Sequence, residues 1–302
     1  SNSLWIGVFM TNTQSITANN AVLACVDGSV YTDSVLDHAV WAARRLEAPV
    51  QALHIQPPGS EYAAPTDLSG AIGLGAKSAL LEKLTQMDEA RGKLDQQKGK
   101  LILEHAKEQL AEAGANTVSP LHRRGSLVET ISELESTTQL VVLGKRGEHA
   151  DFASRHLGSN LERVVRAAHH PVLVASRAFR PIERFVIAYD GGPSTRKALD
   201  FVAASPLLAG LECHLLKIGA DNDENRRTLA QAAARLTQAG FAVQTELKPG
   251  KADDVIAAYV KSHGIDLLVM GAYGHSHIRT LIIGSTTSAM LRSCPIPVLM
   301  FR

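Results

Sequence analysis

The sequence predicts an α/β protein of two tandem, doubly wound parallel-sheet domains that pair as an internal pseudo-dimer. Three observations predict it. The chain has 302 residues, about twice the usual length of one domain. A single order of apolar runs, helical stretches and glycine turns occurs twice along it. The runs expected at the sheet centre, Leu140-Val141-Val142-Leu143-Gly144 and Leu267-Leu268-Val269-Met270-Gly271, are continuously apolar, as parallel strands covered on both faces must be.

Residues 1–20 are read as an N-terminal extension or tag: Ser1-Asn2 resembles a tag remnant, and Met10 offers an alternative start. Leu4 to Met10 is apolar but too short to span a bilayer and lacks a basic flank. The first copy, residues 21–176, opens with the strand Ala21 to Val26, ending in Asp27-Gly28, and a helix from Asp33 to Leu46. A second strand, Val50 to Ile55, precedes a segment from about 56 to 100 that has no counterpart later in the chain. It begins Pro57-Pro58-Gly59 and turns helical in pattern from Lys77 to Gln96, with Leu80, Leu81, Leu84, Met87 and Leu94 near three-to-four spacing. Two readings stand: a surface excursion tied down by a helix extension, which costs little stability, or a lid over a hydrophobic site.

The following helix ends at Gly114, a residue suited to the left-handed position after a helix. Ser126 with Glu129 forms a capping-box pattern for the next helix. After the strand 140–144 come a glycine-rich loop, a helix and the last strand, from Pro171. Polar residues from Ser176 to Glu183, punctuated by Pro181, form the junction.

The second copy, residues 184–302, repeats the order. The strand 185–189 ends in Asp190-Gly191, a helix is expected from Ser194 to Leu208, and the strand Cys213 to Ile218 follows. The next helix ends at Gly240, and Asp253 and Asp254 place negative charge on the first turn of its successor. Strand 267–271, a glycine-rich loop and the final strand from Pro297 complete it. The two last strands would each leave an apolar edge of unpaired backbone groups, so we expect them to pair antiparallel.

Composition narrows the function. Lys plus Arg number 31 against 30 Asp plus Glu, and no helix gathers a basic stripe, so neither nucleic acid nor membrane insertion is expected. Cys25, Cys213 and Cys294 form no C-x-x-C pair, which argues against disulfides or a cysteine zinc site and for a reducing, cytoplasmic setting. A small molecule is the expected partner.

Its site is marked in the second copy by Gly271-Ala272-Tyr273-Gly274, nine residues, and then Gly284-Ser285-Thr286 at a helix start. Glycines at 271 and 274 let backbone N–H groups approach anionic oxygens, and Gly284 turns the chain into the helix. Ser285 and Thr286 add hydroxyls where the helix dipole is positive, so phosphate is the natural occupant. In doubly wound sheets such ligands lie beyond the carboxyl ends of the strands, where Asp190, Ile218 and Gly271 fall. The bland alternative is that the glycines serve only the turns and Asp190 only the following helix.

From Ala21 to Arg302 the sequence resembles the universal stress protein family, tandem type. The resemblance implies five-stranded, Rossmann-like, adenine nucleotide alpha hydrolase-like domains and binding of ATP or AMP, with or without Mg²⁺. It implies that Asp190 and Ile218 hold the adenine end, that Met270 lines the pocket, and that Gly271, Gly274, Gly284, Ser285 and Thr286 hold ribose and phosphates. In the first copy Asp27, Ile55, Gly144, Gly147, Gly158 and Ser159 match, but ten residues separate Gly147 from Gly158 and Asn160 replaces the third loop position. That loop is either a weaker site, with Lys145 and Arg146 as extra phosphate donors, or a degenerate one.

No catalytic residue and no metal ligand set is expected. His275 and His277 lack a carboxylate or cysteine nearby, His169 and His170 close a helix, and His54, which matches Lys217, reads as packing. The function expected is a nucleotide-binding sensor or regulator of a stress response. The alternatives are a slow ATPase or nucleotidyl-transferring enzyme, and a structural or ligand- or lipid-handling protein working through the inserted segment. The sequence leaves a homodimer open.

Overall fold

The computed structural model describes residues 20–56, 74–145, 159–272, 290 and 294–302. In the first copy the strands are β1 (Ala21–Cys25), β2 (Val50–Gln56), β3 (Leu121–Arg124), β4 (Thr138–Gly144) and β5 (Val172–Ala175), interleaved with α1 (Thr32–Leu46), α2 (Leu74–Glu112), α3 (Leu127–Glu133) and α4 (Ser159–Ala167). The second contributes β6 (Arg184–Ala188), β7 (Glu212–Ile218), β8 (Val243–Lys248), β9 (Leu267–Gly271) and β10 (Val298–Phe301), with α5 (Pro193–Ala204), α6 (Asp223–Gln238) and α7 (Ala252–Ser262).

All ten strands form one sheet in the order β3-β2-β1-β4-β5-β10-β9-β6-β7-β8. Within each copy neighbours are parallel; the copies join where β10 runs antiparallel to β5, with Val298 opposite Val174, Leu299 opposite Leu173 and Met300 opposite Val172. This is the pairing expected from the two apolar edges, and it buries every residue of both strands. The β-branched and leucine side chains alternate between the two faces of this sheet. One face packs against α1, α2, α5 and α6 through a cluster continuous across both copies, which includes Leu36, Leu140, Leu173, Phe185, Leu208 and Leu299. The opposite face carries α3, α4 and α7 over Leu23, Val141, Val174, Val186, Leu268 and Met300.

Local sequence sets the helix ends. Gly114 (φ 66°) and Gly240 (φ 95°) take the left-handed conformation that only glycine adopts at little cost. The Ser126 hydroxyl accepts from the Glu129 N–H at 3.4 Å and opens α3. Two helices depart from the expectation. The one expected to reach Leu208 stops at Ala204, because Ser205 before Pro206 is pushed to extended backbone and a short 3₁₀ turn at Pro206–Leu208 follows. The inserted segment, expected to be helical from Lys77 to Gln96, runs without a break into the helix that follows it, so that α2 is one helix of 39 residues, about 58 Å long at the usual rise.

Ser176 and Phe179 of the junction are tied to α1. Ser34 donates to the Ser176 carbonyl at 2.6 Å, and His38, hydrogen-bonded to the Ser34 carbonyl at 2.7 Å, meets Phe179 edge-on at 5.0 Å. Arg45 at the end of α1 donates to the carbonyls of Leu207 and Ala209 in the second copy.

Candidate functional site

In the first copy the central strand β1 lies between β2 and β4, whose following helices α2 and α4 cover opposite faces, which opens a crevice at their carboxyl ends; β6 takes the same place between β7 and β9 in the second copy. In the second copy this crevice gathers four of the expected residues. Asp190 lies two residues beyond β6, Ile218 ends β7, and Met270 and Gly271 end β9. Register places Ala188 beside Met270 on one side and Leu216 on the other, so Ala188, Ile218 and Met270 share a sheet face and pack in one apolar cluster. Gly274, Gly284, Ser285 and Thr286, with His275 and His277, lie outside the described residues.

Asp190 is half-buried and fixed by its neighbours. Its Oδ1 accepts from the Gly192 N–H at 2.7 Å and from the Thr195 hydroxyl at 2.6 Å. Gly191 takes a positive φ of 80°, which lets the turn close so tightly. The buried Lys217 ammonium donates to the Asp190 carbonyl at 3.4 Å. Two residues that the sequence left unassigned, Thr195 and Lys217, thus hold the turn. A signal for the first was present, since threonine follows the Asp-Gly turn at the same distance in both copies, as Thr32 and Thr195.

Gly271 has a packing reason as well. A Cβ there would lie 2.8 Å from the Ser194 Cβ and 3.2 Å from the Thr195 Cγ2. The end of β9 can approach the first turn of α5 this closely only without a side chain.

The first copy builds the same framework and then covers it. Asp27 Oδ1 accepts from the Ser29 N–H at 3.0 Å, and the Gly28 N–H donates to the Thr32 hydroxyl at 3.0 Å. Cys25, Ile55 and Leu143 share the face that Ala188, Ile218 and Met270 share in the second copy. Over the turn lies α2: a Cβ on Gly28 would come within 2.9 Å of the Ile102 Cδ1. His54 sits where Lys217 sits in the second copy, with Nδ1 hydrogen-bonded to the Val26 carbonyl at 2.8 Å. Gly144 ends β4 and Ser159 starts α4, while Gly147, Gly158 and Arg146 lie outside the described residues.

Lys145, expected as a phosphate donor, instead is buried and donates to the Cys294 carbonyl of the second copy. The antiparallel join of β5 and β10 brings the entrance of β10 beside the exit of β4, a neighbour that linear sequence does not show. His169 and His170 do not simply close a helix. They meet Glu135, His169 through its carboxylate at 2.7 Å and His170 through its carbonyl at 2.8 Å. Among the described residues no group of three metal-ligating side chains converges, and no helix is long and apolar enough to cross a membrane.

A ten-stranded sheet of two parallel halves, with an Asp-Gly turn and a glycine-ended strand at each switch point, defines a tandem α/β protein of the adenine nucleotide alpha hydrolase-like class. Residues 19–176 and 216–302 match the model of the Universal stress protein family. A universal stress protein of Synechocystis sp. is 40% identical over 284 residues, 93% of this chain and 99% of that protein. The chain therefore belongs to the universal stress protein family, in its tandem two-domain form. The crystal structure of a universal stress protein from Archaeoglobus fulgidus shares the fold, with a TM-score of 0.67 at 21% identity over 94% of this chain and 98% of that one. A universal stress protein crystallised in complex with cAMP matches 41% of this chain and 98% of its own, at 22% identity and a TM-score of 0.36.

Proposed function

We propose that the second copy binds an adenine nucleotide, ATP or AMP, and that the chain acts as a nucleotide-responsive regulator in a stress response. The observation that carries this reading is the convergence of Asp190, Ile218, Met270 and Gly271 at the carboxyl ends of three adjacent strands, β7, β6 and β9. Ala188, Ile218 and Met270 supply an apolar seat for the base. Asp190, whose Oδ1 is already fixed by two donors, orients the base or ribose. Gly271, Gly274 and Gly284 let backbone N–H groups meet the phosphates, and Ser285 and Thr286 add hydroxyl donors and the means to meet a phosphate-bound Mg²⁺. The one carboxylate of this set, Asp190, is already engaged by two donors, which favours binding over turnover as the reading.

The first copy is the weaker site. Its Lys145 is engaged with the second copy, Ile102 covers its Asp-Gly turn, and its loop is one residue longer. Calorimetric titration with ATP, AMP and cAMP tests the reading: one tight site per chain is expected, lost in Gly284→Val while the circular dichroism spectrum is kept. Two equal sites, or unchanged affinity in Gly284→Val, would contradict it.

A further inference from the structure

The amino-terminal half of α2 and the outer edge of the sheet enclose a cleft of about 700 Å³, within the size range of small-molecule sites. It opens at the carboxyl ends of β2 and β3, and four strands separate β2 from β9 of the second copy. One wall is a single face of α2, where Thr85, Asp88, Glu89, Gly92, Lys93 and Gln96 follow the three-to-four spacing that stacks side chains along a helix. Gln56, His122, Arg123 and Arg124 line the other. Gln56 is the register partner of Arg124, and His54 of His122, so these four alternate residues stand on the sheet face that α2 covers. Gln56 also ties the two walls together, its Nε2 donating to the Gly92 carbonyl at 3.3 Å.

The chemistry of the lining selects a ligand. None of the described lining residues is a large apolar one, so neither a nucleobase nor an acyl chain finds a seat. Arg123 and Arg124 are adjacent at the end of β3, and their guanidinium forks suit a phosphate monoester. Asp88 and Glu89 put two carboxylates on the facing wall, which repel a polyanion but accept hydrogen bonds from hydroxyl groups, and the Gln96 amide both donates and accepts. No described residue pairs with the side chains of Asp88, Glu89, Lys93, Arg123 or Arg124, which leaves them for a ligand. We propose that this cleft binds a phosphorylated sugar or polyol, its phosphate on Arg123 and Arg124 with Lys93 adding charge, its hydroxyls on Asp88, Glu89 and Gln96. A ligand so held bridges α2 to the sheet edge. Because all five charged groups are exposed in the free protein, each contact is partly screened, and the dissociation constant falls between the micromolar and millimolar ranges.

Calorimetric titration of the full chain with glucose 6-phosphate and sucrose 6-phosphate tests this, with inorganic phosphate, glucose and tripolyphosphate as controls. One site per chain is expected for at least one of the two sugar phosphates, at least about tenfold tighter than for any control. Arg124→Ala, at an exposed position where the fold is kept, should weaken it by about tenfold or more. Asp88→Asn with Glu89→Gln should weaken the sugar phosphate while leaving inorganic phosphate as strong or stronger, which separates a two-ended site from a bare anion patch. Affinity should be unchanged by saturating AMP and by Gly284→Val, so this site stands or falls apart from the nucleotide site of the second copy. Hydrogen exchange at residues 85–96 should slow when the sugar phosphate is bound. No binding of either sugar phosphate up to about 10 mM, a control that binds as tightly, or affinity indifferent to these variants would overturn the proposal.

Discussion

Gly92 and Gly99 occupy the same helix, yet the same substitution should have opposite effects at the two positions. In a helix interior Gly→Ala usually gains roughly 0.5–1 kcal/mol, because alanine has less backbone freedom to lose. At Gly92 a Cβ would meet nothing within 4 Å, so Gly92→Ala should show that gain. At Gly99 a Cβ would lie 2.5 Å from His122 Nε2, 2.6 Å from its Cε1 and 2.8 Å from His54 Cδ2. Non-bonded heavy atoms settle at about 3.5–4.0 Å, so the helix or both rings must move by roughly 1 Å. His54 resists, because it is hydrogen-bonded to the Val26 carbonyl. Overpacking of this kind costs roughly 1–3 kcal/mol. After the propensity gain is subtracted, Gly99→Ala should lose about 1–2 kcal/mol. Guanidinium unfolding of the full chain reads the loss as a lower midpoint at constant slope. Hydrogen exchange at residues 88–96 reads the local gain in Gly92→Ala. A Gly99→Ala protein as stable as its parent would show that α2 does not seat on the two histidines.

Acid should destabilise the fold in the range where histidines titrate. His38 and His122 are both held below their usual value near 6.5, His38 chiefly by burial against the pull of Ser34 and Asp37, His122 by burial and then by His54 and Lys100. Above pH 6.5 both are neutral in either state; below it the unfolded chain takes up protons that the folded chain refuses, so stability falls. Unfolding free energy should therefore be lower at pH 5.5 than at 7.5, with a shallower slope in His38→Leu; equal slopes would remove His38 from the account. Amides of Val172–Ala175 and Val298–Phe301, at the centre of the sheet, should be among the slowest to exchange, and rapid exchange in either strand would contradict the join.

Much of this architecture was legible because the sequence states it twice. Matching Ala21-Val22-Leu23 with Phe185-Val186-Ile187, and Leu140-Val141-Val142 with Leu267-Leu268-Val269, establishes strand type and order without a contact being known. The β5–β10 join followed from the energetics of two bare apolar edges. What escaped were features set by tertiary neighbours. The helical pattern read from Lys77 to Gln96 did not show that the helix runs on past Gly99, where the absence of a side chain permits contact with two histidines. Gly271 was legible as a turn residue but not as the point where α5 presses on β9. Lys145 carried the right charge for phosphate, and only the fold shows that a carbonyl of the other copy lies nearer.

The antiparallel join also has a consequence for dissection. One apolar cluster runs beneath α1, α2, α5 and α6 without a seam between the copies, and Arg45 and Lys145 each reach across. Cutting the link at Arg180 would leave either fragment with a raw hydrophobic strand and half of a shared interior. The polypeptide should therefore melt as one cooperative body, and an injury to the first copy should be felt at the second. Covalent fusion in return frees the halves from identity: a single α2 extension and a single Lys145 serve a pair that two equal chains would have had to furnish in duplicate.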